Sequence, residues 1–146
     1  MSLSEPVKEF EGELDLPENQ QMIRFLKQHQ PSAYADIVQL LVASTEGLGD
    51  IKFYCPDTDN HAYYLAHTHD GVIFAAAIGM SALMYRLPKQ SMAQALEKGG
   101  EVLPDFGESW VSFNPFWPER EDEQEKTDHS SAMKQWCKQA YHYAKS

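Results

Sequence analysis

The sequence predicts an α+β domain: an antiparallel sheet of four to five strands packed by an N-terminal helical hairpin, a short helix and a C-terminal helix. Three observations predict it. The first is the stretch from His61 to Pro88, HAYYLAHTHDGVIFAAAIGMSALMYRLP, the longest apolar region of the chain, punctuated by Asp70-Gly71 and Gly79. The second is a pair of apolar helical faces between Pro17 and Glu46. The third is a stripe of Met133, Trp136, Cys137, Ala140, Tyr141 and Ala144 at helical spacing.

In chain order, residues 1–16 carry Glu5, Glu9, Glu11, Glu13 and Asp15 against one lysine, and read as a partly ordered acidic arm on a single domain spanning 1–146. Pro17 suits the first turn of a helix, because its missing N–H would have no partner there. That helix covers 17–30, with Met22, Ile23, Phe25 and Leu26 on its apolar face. Pro31-Ser32 restarts the chain into a second helix over 32–46. Its apolar positions are Tyr34, Ile37, Val38, Leu41 and Thr45, and Gly47 closes it. Joined at Gln30-Pro31, the two helices make a hairpin expected to cover one face of the sheet.

Strands are expected at 51–55, 62–68, 72–78, 81–87 and 110–113. Aromatic and β-branched residues favour the extended state in each. Asp70-Gly71 between two apolar runs predicts a type I′ hairpin turn, whose central residues need φ > 0. The unbroken apolarity of 72–78 fits a strand covered on both faces, although its three alanines also suit a helix. Pro88 opens a short helix over 88–98 that Gly99-Gly100 stops, and the last helix is expected over 128–144.

The chain has 146 residues, 42% of them apolar and 12% aromatic, enough for one buried core. The net charge of −10 is more informative. A field of that sign repels phosphate backbones, and the twelve Lys and Arg are scattered singly, so nucleic acid is not an expected partner. No apolar run approaches the ~20 residues of a membrane helix. The glutamates near the N-terminus stand where a leader would be cationic, so a cytoplasmic protein is expected. Cys55 and Cys137 have neither framework nor metal spacing. They read as reduced, buried thiols, with one sheet-to-helix disulfide as the alternative.

Several patterns resemble chemistry. His67-Thr68-His69-Asp70 would place two imidazoles on one side of a strand, with Asp70 or His61 as a third metal ligand. Against this, the turn already explains Asp70, and Val72 stands where a His-x-His-x-Asp-His pattern needs its last histidine. Neither cysteine has a flanking glycine elbow or a cationic cluster to activate it, and Cys137 lies on the core stripe of its helix. Ser44 and Ser109 lack a nucleophile elbow. Gly47-Leu48-Gly49 and Gly99-Gly100 precede no Lys-Ser/Thr pair, so neither is a phosphate loop. No cofactor is implied. Trp110, Phe113, Phe116 and Trp117, set among prolines, form an aromatic loop that either lids its own core or presents a binding surface.

Within residues 71–113, Gly71-Val72-Ile73-Phe74, Tyr85-Arg86-Leu87-Pro88, a short helix and then Trp110-Val111 follow one another. This order resembles the YjbR-like domains and the related N-terminal domain of TfoX-type regulators. The resemblance covers under a third of the chain and implies a small α+β fold. It implies no chemistry and no site residue, and the acidic composition departs from the nucleic-acid binding such winged shapes suggest.

Two functions remain in view. One is an acidic interaction module that recognises a basic protein surface, or a small apolar ligand, near Trp110, Phe113, Phe116 and Trp117. The other is a metal-dependent enzyme built on His61, His67, His69 and Asp70. Homo-oligomerisation through an uncapped strand is compatible with either.

Overall fold

The computed structural model describes residues 16–29, 31–55, 63–114 and 123–145. In chain order the elements are a 3₁₀ turn at Pro17–Asn19, α1 (Gln20–His29), α2 (Ala35–Ser44), β1 (Ile51–Tyr54), β2 (Tyr64–Thr68), β3 (Ile73–Ile78), β4 (Ala82–Arg86), α3 (Lys89–Glu97), β5 (Glu101–Val102), β6 (Trp110–Phe113) and α4 (Glu123–Lys145). The strands form one antiparallel sheet in the order β1-β2-β3-β4-β6-β5. The α+β class and the five expected strands are therefore present. The sheet gains a sixth strand, and α4 starts earlier than expected.

The sheet is covered on both faces, and residues alternate between two cores. Ala66, Ala77, Leu83, Tyr85, Val111 and Phe113 enter one core with Ile37 and Leu41 of α2 and Met133, Trp136, Cys137, Ala140 and Tyr141 of α4. Leu65, Ile73, Ala76, Met84 and Trp110 enter the other with Met22, Ile23 and Leu26 of α1 and Phe106 of the β5–β6 connection. A strand buried on both faces has no polar side to alternate with, which explains the continuous apolar run of β3.

The alternation slips once. Ala66 pairs with Ala75 but His67 pairs with Ile73, so Phe74 is an extra residue in β3. The bulge lets Phe74 and Ala75, adjacent in sequence, both enter the α2/α4 core. There the Phe74 ring meets Tyr141 edge-on at 5.5 Å.

Two expectations are corrected here. First, α1 and α2 do not cover one face together: they lie on opposite faces. The cause is the extended segment between them. Ala33 forms a parallel bridge to Gly79 at the β3–β4 turn, so the chain passes the end of the sheet before α2 begins. Second, Asp70-Gly71 is not the centre of a type I′ turn. Gly71 N–H donates to the Thr68 carbonyl at 2.9 Å, which puts His69 and Asp70 at the centre. Gly71 follows at φ 93°, a left-handed position that favours glycine. This is the three-residue hairpin loop, a turn followed by a left-handed glycine.

Candidate functional site

The aromatic candidates are not brought together. Trp110 is buried in the α1 core, where Phe106 meets it edge-on at 5.0 Å. Phe113 is buried in the α2/α4 core, stacked on Trp136 at 5.5 Å. The separation of three residues is odd, so an extended strand sends the two rings to opposite faces. Phe116 and Trp117 lie outside the described residues, as do His61 and all of the acidic arm over 1–16 but its last residue.

The histidine candidates are separated by burial. His67 is buried in β2, and its Nδ1–H donates to the Thr68 carbonyl at 2.9 Å. A carbonyl only accepts, so that contact fixes the proton on Nδ1. His69 and Asp70 are exposed on the turn. Among the described residues, no three His, Cys, Asp or Glu side chains form a group able to hold a metal. What holds this hairpin is a residue from far away in sequence. Buried Asn19, next to α1, donates Nδ2–H to the Gly71 carbonyl at 2.9 Å and accepts from Ile73 N–H at 3.0 Å. Both halves of the amide are used, and α1 is clasped to the β2–β3 turn.

Both cysteines are buried and outside any disulfide, so they do not form the alternative sheet-to-helix bridge. Burial pushes the Cys137 thiol from its ordinary 9.0 up to about 12, an inert thiol rather than a nucleophile. Beside it, burial and then the neighbouring Cys137 hold the Tyr85 hydroxyl well above the usual tyrosine range. Among the described residues this hydroxyl has no hydrogen-bond partner. Ser44 is near both groups, but its own proton goes to the Leu41 carbonyl at 2.8 Å. The Tyr85–Ser44 geometry falls short of a hydrogen bond.

The surface offers one further feature, and of its residues the sequence expectation covers Tyr34 and Val38 alone, on the apolar face of the second helix. Tyr34 is 55% exposed, Met80 65% and Val42 44%, all high for large apolar side chains. Tyr34, the extended residue that precedes α2, and Val42 are exposed along α2, and half-buried Val38 between them in the row also packs against the α2/α4 core. Met80 joins the row at its start. Tyr34 N–H donates to the Gly79 carbonyl at 2.9 Å, and Gly79 N–H donates to the Ser32 carbonyl. Tyr34 and Met80 each follow the bridged pair Ala33–Gly79, so their side chains stem from adjacent backbone. Gly79 takes φ 68° in making this turn, which favours glycine there.

The segments that carry the row hold only anions, but α4 sets cations towards two of them, Lys134 towards Glu46 and Lys145 towards Asp50. From Pro31 to Ile51 the sequence contains Asp36, Glu46 and Asp50 and no Lys, Arg or His, and from Gly71 to Tyr85 it contains no charge at all. Asp36 and Asp50 are exposed. Glu46 faces Lys134 at 3.5 Å in an exposed pair, which contributes little to stability.

No known protein family, characterised protein or solved structure matches the chain. Any function is therefore argued from this geometry.

Proposed function

We propose that the protein is a non-catalytic interaction module whose partner is a protein with a basic surface. The observation that supports this is the stretch from Pro31 to Ile51, which is anionic, without cations, and carries two of the most exposed large apolar side chains, Tyr34 and Val42. A chain of net charge −10 attracts a basic partner before contact and repels an acidic one. The exposed apolar positions then supply what charge alone does not, a short-range reason to stay bound.

The reading is tested with two fluorescent amphipathic helical peptides, one of Leu and Lys and one of Leu and Glu. The Leu/Lys peptide is expected to bind the full chain at low salt and to weaken steeply between about 50 and about 300 mM salt. The Leu/Glu peptide is expected not to bind. Equal binding of both, or of neither, overturns the proposal.

A further inference from the structure

Resting on that basic-partner reading, we infer that the partner docks as an apolar segment flanked by Lys or Arg, laid along the outer row of α2 and against Met80. The fold itself does not call for this row. The inner side of α2 already buries Ile37 and Leu41 against the sheet and α4, while Tyr34 and Val42 face out. A surface helix is ordinarily polar on that side. The parallel bridge at Ala33–Gly79, with its two backbone hydrogen bonds, brings the backbone of Met80 beside that of Tyr34, so exposed apolar residues of two elements start from neighbouring positions.

Charge decides among occupants. A second copy of this chain seated on the row would place one exposed Asp36 on each side of the contact. Each copy carries −10. Like charges facing across an interface oppose association. A segment with flanking cations meets Asp36 with the opposite sign and offers Tyr34, Val42 and Met80 its apolar side chains.

The experiment titrates the Leu/Lys peptide into the isotope-labelled full chain and follows the backbone amides by NMR. The largest shifts are expected at 34–42 and 78–81. Met80→Lys and Val42→Lys, both at exposed positions, are each expected to weaken binding about tenfold with the amide spectrum otherwise retained. If the peptide binds but the shifts lie elsewhere and neither substitution changes its affinity, the docking surface is overturned and the basic-partner reading stands. If the peptide does not bind at low salt, both fall. A concentration-dependent dimer that Val42→Lys dissociates assigns the face to a second copy and overturns the inference as well.

Discussion

Replacing Tyr85 with phenylalanine should stabilise the protein. The side chain is fully buried between α2 and α4, with its hydroxyl beside Ser44 and Cys137 and without a hydrogen-bond partner among the described residues. Leaving a buried hydroxyl unpaired costs about 1–3 kcal/mol, and the substitution recovers that cost. Against it stands the small void left by one oxygen, worth a few tenths of a kcal/mol at about 24 cal/mol per Å³. The first effect wins, for a net gain of about 1–2 kcal/mol. In a chain of this length the gain should raise Tm by about 2–8 °C. The assay is urea unfolding, which should show a higher midpoint at an unchanged slope. A double-mutant cycle with Ser44→Ala should give a coupling below about 0.5 kcal/mol, because the Tyr85 hydroxyl makes no hydrogen bond to the Ser44 oxygen. A Tyr85→Phe protein less stable than the parent would refute the reasoning, since it would show that the hydroxyl is satisfied in the native state.

Three further outcomes follow from the same interior. Asn19→Ala should cost about 2–4 kcal/mol in urea unfolding, because it strands the Gly71 carbonyl and the Ile73 N–H, both in a buried turn; a loss below about 0.5 kcal/mol would mean the clasp is not formed. The unfolded Cys137 thiol loses its proton near 9.0 and the native one near 12. Unfolded chains thus bind fewer protons in that window, and this contribution to stability, complete below pH 9, should fall as pH rises towards 12 by up to about 1.4 kcal/mol per unit. Urea midpoints at pH 8 and pH 10 should fall more in the parent than in Cys137→Ala, and equal falls would contradict the assignment. Elemental analysis of the purified protein should find zinc well below one equivalent, since His67 is buried and bonded to backbone while His69 and Asp70 are exposed. Stoichiometric zinc lost on His67→Ala would instead revive the metal-dependent enzyme.

Much of the architecture was legible because it rests on local chemistry. The runs flanking Asp70-Gly71 are extended for the reason their β-branched and aromatic content suggests, and the stripe from Met133 to Ala144 does lie on a helix. What was missed depends on distance or on brevity. β5 has two residues, too few to show any period. The Asn19 clasp joins residues 52 and 54 positions apart, and nothing near Asn19 announces it. The placement of α2 against the opposite face from α1 depends on three extended residues bridging to Gly79, a contact no periodicity contains. One error was avoidable: Trp110 and Phe113 stand three apart in a strand, and parity alone separates them.

The row on α2 carries a different lesson. Helical spacing put Tyr34 with Ile37, Val38 and Leu41 on a single core face, yet α2 is apolar on more of its circumference than one sheet face can cover. Ile37 and Leu41 take the buried side, so Tyr34 and Val42 are left outside. Stability is a poor reason for their presence, because an exposed large apolar side chain gains little from folding and adds to association hazard. Polar replacements at Val42 and Met80 should therefore leave stability within about 0.5 kcal/mol of the parent. That expectation is what gives the docking test its force. A loss of peptide affinity in a protein that unfolds at the same urea concentration can be charged to the surface, whereas the same loss in a destabilised protein could not.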